Sequence, residues 1–163
     1  MEPQGQNDRA LKRMYAELQG LGGGVADTST LIYLEALEIL PLVGQRLQLV
    51  LIPQVVAEFG RRPPDMRLVP SAPAATVDEA VVRTARALNV PIFSEDGRIL
   101  RQARRLEHPH YNSLMLLLAL RAQNVLPETE FSRLRRNLLG FARYSATVIA
   151  YADQVLEAIP GPQ

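Results

Sequence analysis

Four acidic positions in this 163-residue chain fall where the hydrophobic pattern predicts strand ends or helix starts: Asp27, Glu58, Asp78 (with Glu79 beside it) and Asp96. Hard divalent cations such as Mg²⁺ and Mn²⁺ take oxygen ligands, usually a few carboxylates completed by water and substrate phosphate. Carboxylates drawn together repel one another unless a cation or a shared proton stands between them. If these four converge, a metal is the natural counter-charge. Asp27 has the strongest individual claim, because in an open α/β sheet ligands bind beyond the carboxyl ends of the strands. Each residue also has an ordinary structural role: helix N-terminus for Asp27, Asp78 and Glu79, solvated helix surface for Glu58, and a turn for Asp96-Gly97.

Other chemistries have less to work with. The absence of cysteine excludes disulfides, thiol nucleophiles and thiolate metal sites. His108 and His110 stand one residue apart in a loop-like segment, which supports a His-built zinc site poorly. A composition of 47% hydrophobic and 21% charged residues is that of an ordinary globular domain with a core of its own. The longest uncharged apolar run, Leu114 to Leu120, falls far short of the roughly 18 residues of a membrane span. No charged-then-apolar leader opens the chain, so a cytoplasmic protein without membrane association is expected. The net charge of +1 conceals an uneven distribution: residues 1–97 carry 9 basic and 12 acidic side chains, residues 98–163 carry 9 and 5. Lys12 is the sole lysine. The arginine bias reads either as genomic base composition or as an acidic cleft bordered by phosphate-holding guanidiniums.

The elements that must position the acids follow from periodicity. Residues 1–22 form an N-terminal tail, disordered over Glu2 to Asn7, and a helix from about Asp8 to Leu18 with Leu11, Met14, Tyr15 and Leu18 on one face. The glycines from Gly20 to Gly24 turn the chain into a strand at Val25-Ala26, ending in Asp27. Thr28, Ser29 and Thr30 are expected to cap a helix that runs to about Leu40, where Pro41 stops it. A second strand spans Leu47 to Ile52, and Pro53 opens a helix to about Gly60 that carries Glu58. Arg67 to Val69 is a short strand candidate in a Pro-rich connector. Thr76 and Glu79 form a capping box for a helix ending at Asn89. Val90 to Phe93 is a strand, Ser94 to Gly97 its exit, and Arg98 to Leu106 a helix. Glu107 to His110 reads as a loop, and Tyr111-Asn112-Ser113 as the cap of the apolar helix 114–122. Helices from Pro127 to about Leu139 and from Ala146 to Ala158 follow, and Pro160-Gly161-Pro162 frays. Strands alternating with helices predict a three-layer α/β/α sandwich on a central, mostly parallel sheet, forming a single domain over 23–163 with a helical C-terminal part.

Three segments carry a family resemblance. Val25 to Ile32 followed by Leu51 to Glu58, and then Asp78 to Asp96, resemble the PIN-domain nucleases. That family shows a strand–Asp–Thr/Ser start, an acid inside the helix after the second strand, an acid opening a later helix, and a Thr/Ser-x-Asp mark after the next strand. All four occur in order over Val25 to Ala103, about half the chain. The resemblance implies that Asp27, Glu58, Asp78 and Asp96 surround Mg²⁺ or Mn²⁺, with Glu79 competing for the third place. Ser29 and Ser94 would orient ligands or hold a metal-bound water. The activity implied is metal-assisted hydrolysis of RNA phosphodiester bonds, and the setting implied is the toxin of a toxin–antitoxin pair, with an antitoxin protein and a homodimer as partners. One position departs: where many members carry a further aspartate, this chain has Asn112, which can bond but brings no charge.

The competing reading is a PIN-like module that binds RNA or protein without turnover, favoured by Asn112. A phospho-aspartate domain with Asp27 as acceptor is set aside. Its dehalogenase form needs an Asp where Ser29 stands, and its receiver form needs a lysine in the later part.

Overall fold

The computed structural model describes residues 3–161. Five strands form one sheet: β1 (Gly23–Ala26), β2 (Gln48–Leu51), β3 (Arg67–Leu68), β4 (Ile92–Phe93) and β5 (His110–Tyr111). Their order is β3-β2-β1-β4-β5, and every pairing is parallel. Val25 stands opposite Val50 on one side and Ile92 on the other. Strands covered on both faces should be apolar throughout. Val25, Ala26, Leu49, Val50, Leu51, Ile92 and Phe93 are accordingly all buried.

The chain walks outward from β1 to β2 and β3, then returns past β1 to β4 and β5. Because crossovers between parallel strands are right-handed, the two walks put their helices on opposite faces. The first walk contributes α2 (Thr28–Ala36), α3 (Leu40–Arg46) and α4 (Pro53–Phe59); the second contributes α5 (Val77–Leu88) and α6 (Gly97–Arg105). The result is the expected three-layer α/β/α fold. The direction of winding reverses between β1 and β4, which opens a crevice at their carboxyl ends.

The chain divides into two compact units, and the sheet with α2 to α6 lies in the one spanning Gly22–Ser113. The other unit takes the residues up to Leu21 and those from Leu114 onward. It holds α1 (Pro3–Gln19), nearly all of α7 (Ser113–Ala122), α8 (Glu128–Phe141) and α9 (Ala146–Ala158). Within it α1 packs on α9, and the Gln123 amide donates to the carbonyls of Leu18 and Leu21, 2.9 Å each. No helix among the described residues is long and apolar enough to cross a membrane.

Several expectations are corrected. Pro3 to Asn7, read as disordered, belong to α1, while Glu2 and Pro162 lie outside the described residues. The single helix from Asp27 to Leu40 is two: α2 ends at Ala36, Glu38 turns the chain at φ 60°, and Pro41 sits in the first turn of α3. A first turn leaves its N–H groups unbonded in any case, so a proline there starts a helix as readily as it stops one. Leu47 is the C-cap of α3 and not part of β2. The segment read as loop and cap holds β5, paired with β4 through Ile92–His110 and Phe93–Tyr111. His108 is accordingly half-buried, its Nε2 2.6 Å from the Val90 carbonyl, an arrangement that needs a ring N–H to donate.

Candidate acidic site at the carboxyl edge of the sheet

Asp27 ends β1 and is tied to β4 through its own backbone, the N–H donating to the Phe93 carbonyl at 2.8 Å. The residue is the N-cap of α2, in extended conformation, yet its side chain makes no capping bond. The carboxylate is instead buried, only 6% exposed. Its Oδ2 accepts from the Ser29 hydroxyl and from the Ser94 hydroxyl, 3.0 Å each. Burial pushes the Asp27 carboxyl above its ordinary value, and the nearby Glu58 charge adds to this. The two serine hydroxyls and the Thr28 amide act in the opposite direction.

Both serines are themselves held. Ser94 Oγ accepts the Asp96 N–H and Ser29 Oγ accepts the Glu95 N–H, 3.0 Å each. Thus the loop leaving β4 is fastened to the aspartate leaving β1 by two hydroxyl relays. Asp96 then caps α6, its Oδ1 accepting the Arg98 N–H at 2.7 Å.

Thr28, Ser29 and Thr30 were expected to accept from helix N–H groups. They do something else. Each hydroxyl donates to a different carboxylate: Thr28 to Glu58 at 2.9 Å, Ser29 to Asp27, and Thr30 to Glu95 at 2.7 Å. The physical reason is charge: a hydrogen bond to an ionised acceptor is roughly twice as strong as one between neutral groups. Glu58 itself lies on the exposed side of α4, one residue before its end.

Asp78 stands in the first turn of α5 and is half-buried. Its carboxyl is pushed up by burial first, then by the charges of Asp96 and Asp27, while the Arg98 charge pulls it down. Glu79 turns away to structural work: its N–H donates to Thr76 Oγ1 at 3.2 Å and its Oε2 accepts the Ala75 N–H at 3.3 Å. The capping box takes Glu79, and Asp78 keeps company with the other acids. Asn112 directly follows β5, half-buried, at the same sheet edge.

Asp78, at the start of α5, thus lies within electrostatic reach of Asp96 and Asp27, and Asp27 within reach of Glu58. Among the described residues, no group of three or more His, Asp and Glu side chains is drawn close enough to hold a metal ion. The donor chemistry nevertheless fits a hard cation: oxygen ligands only, with two carboxyls destabilised in their charged form by burial first and by neighbouring acids second. Such an ion would need water or substrate oxygen to complete its shell.

Family models, curated proteins and solved structures give no match to this chain. The reading of the site accordingly rests on its own geometry.

Sequence reasoning missed Glu95 and the carboxylate-directed roles of Thr28 and Thr30. Glu95 Oε2 accepts from Thr30, and both of its carboxylate oxygens accept the Ser113 N–H, at 2.9 and 3.1 Å. The available signal was three hydroxyls in succession after an aspartate, one more than a helix start needs.

Proposed function

We propose that this chain is a Mg²⁺- or Mn²⁺-dependent ribonuclease that hydrolyses phosphodiester bonds at the acidic edge of the sheet. The observation that carries the proposal is the buried Ser94 hydroxyl, which donates to the Asp27 carboxylate and accepts the backbone N–H of Asp96, tying the exit of β4 to the acid that leaves β1. A bound cation would supply Lewis-acid chemistry, activating the phosphate and a water for hydrolysis. Asp27, Asp78 and Asp96, with Glu58, are the ligands we assign to it. Ser29 and Ser94 hold Oδ2 of Asp27 in one orientation, so the carboxylate meets substrate without reorganising. Thr28 does the same for Glu58.

The resemblance to the PIN-domain nucleases extends the proposal to a cytoplasmic toxin with an antitoxin partner and a homodimer. Light scattering and co-expression with the neighbouring open reading frame test those parts separately. A second reading, an RNA- or protein-binding module without turnover, is favoured by Asn112, which brings no charge, and by the lack of a ready three-ligand cluster among the described residues.

One assay separates the two. Single-stranded RNA is incubated with the protein in Mn²⁺, in Mg²⁺ and in EDTA, beside Asp27→Asn. The enzyme reading expects cleavage only with metal, lowered at least about a hundredfold by the substitution. RNA bound but left intact by both proteins sinks it in favour of the binding module.

A further inference from the structure

Glu95 lies between Ser94 and Asp96, in the middle of the loop that bears the site, and its side chain reaches in two directions. It accepts the Thr30 hydroxyl from the first turn of α2 at 2.7 Å. On the other side it accepts the Ser113 N–H with both oxygens, at 2.9 and 3.1 Å. Its own N–H donates to Ser29 Oγ, the hydroxyl that in turn donates to Asp27. Thr30 and Ser113 are both fully buried. Three chain segments thus meet on one side chain: the exit of β1, the exit of β4 and the exit of β5.

We infer that Glu95 is a positioning residue of the acidic site and not a cation ligand. Its carboxylate locks the three strand exits together and so sets where Asp27, Asp96 and Asn112 stand. The inference rests on the nuclease reading for its consequence in catalysis, and on the hydrogen bonds alone for the lock itself.

The geometry explains why a carboxylate is used. Two donors approach it from different segments, Oε2 accepts from both and Oε1 from the Ser113 N–H, and an ionised acceptor strengthens each bond. Both oxygens of Glu95 accept hydrogen bonds from other chain segments, Oε1 from the Ser113 N–H and Oε2 from Thr30 and the Ser113 N–H. Asn112 immediately precedes Ser113, so the Ser113 bond also holds the backbone that carries Asn112 away from β5.

Glutamine and alanine at this position separate the possibilities. Glutamine keeps one carbonyl oxygen that can accept from Thr30 or Ser113, whereas alanine keeps none. In RNA cleavage with Mn²⁺, Glu95→Ala should lower kcat about a hundredfold with little change in KM, as expected for displaced catalytic groups. Glu95→Gln should recover most of that loss. Mn²⁺ affinity, measured by calorimetry without RNA, should be close to that of the wild type in Glu95→Gln. Loss of Mn²⁺ affinity in Glu95→Gln as severe as in Asp27→Asn would make Glu95 a ligand and overturn the inference; so would wild-type kcat in Glu95→Ala.

Hydrogen exchange at the Asp96 and Ser113 amides reads the lock directly in the same three proteins. Exchange should be at least about tenfold faster in Glu95→Ala, and nearer to wild type in Glu95→Gln, with circular dichroism unchanged. Unchanged protection in Glu95→Ala overturns the lock. If the wild-type chain leaves RNA intact, the nuclease reading falls by itself, and the exchange result still decides the role of Glu95.

Discussion

A carboxylate such as Asp27, buried near another acid, weighs against the stability of the fold. Burial disfavours its charged form, the Glu58 charge disfavours it further, and three hydrogen-bond donors compensate in part. The sign of the consequence follows. The unfolded chain titrates near the ordinary value of 3.8, whereas the folded chain holds its proton to a higher pH. Between those values the folded state binds more protons, so stability from this group falls as pH rises through the window and stays lost above it. Asp78 acts in the same sense, through burial and then the charges of Asp96 and Asp27. Asp27→Asn keeps a carbonyl for the two serine hydroxyls and removes the charge. It should therefore raise the thermal midpoint at neutral pH while abolishing cleavage. The wild-type and Asp27→Asn stabilities should converge as pH falls toward 3.8. Melting curves of both proteins from pH 3.5 to 8 check this; an Asp27→Asn protein less stable than wild type at pH 7 would show that the carboxylate is net stabilising. Among the acids of this edge, the position of Asp27 was legible, since an acid directly after a buried strand signals itself, whereas the bonds of Glu95 were not. The partners of the hydroxyls were not. Thr28, Ser29 and Thr30 have the same local pattern whether they cap a helix or donate to distant carboxylates, and only the positions of Glu58 and Glu95 decide.

The elements that bring these residues together depend on how closely β1 approaches β4. Gly24 is where that closeness is set: a Cβ there would lie 2.6 Å from the Pro91 carbonyl and 2.9 Å from Cζ of the buried Phe93 ring. Neither neighbour yields easily, one being backbone and the other packed against Tyr111 with ring centroids 6.3 Å apart. Gly24→Ala should destabilise the chain by about 1–3 kcal/mol, the usual range for overpacking a core. Urea denaturation measures it; a change below about 0.5 kcal/mol, within the ordinary range for surface substitutions, would show that the strands part without penalty. The long elements were legible because their signals are repetitive. The boundaries of α5 and α9 fall where Thr76 and Ser145 cap them, each accepting a backbone N–H. What escaped was short. The two residues of β5 show no alternation and are recognised only by their pairing with β4. Pro41 is ambiguous by nature, since the same missing N–H suits a helix start and an interruption. The strand order is a property of packing between segments far apart in sequence, and no local pattern encodes it.

At the scale of the whole molecule, charge decides between competing roles for the acids and the arginines. Several arginines are already committed: Arg61 to Glu35, Arg133 to Glu130 and Arg135 to Asp153 as ion pairs, and Arg62, Arg83 and Arg121 to backbone carbonyls. Exposed pairs of this kind contribute little stability, typically about 0.2–1 kcal/mol. Arg98 differs, because its charge bears on Asp78. Its pull on Asp78 is outweighed by burial and by the charges of Asp96 and Asp27, and a divalent ion at this edge would relieve that repulsion. A ligand that binds only the folded state stabilises it in proportion to the logarithm of its concentration, reaching about 2.7 kcal/mol at a hundred times its dissociation constant. Mn²⁺ should therefore raise the thermal midpoint of the wild-type chain in a concentration-dependent way, reversed by EDTA. The same titration of Asp27→Asn should begin from a higher midpoint and move little, because the substitution removes both the repulsion and a ligand. Simple screening by salt would shift both proteins alike, so a NaCl series at matched ionic strength isolates specific binding. Equal shifts in the two proteins, or none in either, would leave the gathered carboxylates without a cation and the hydrolytic mechanism without its Lewis acid.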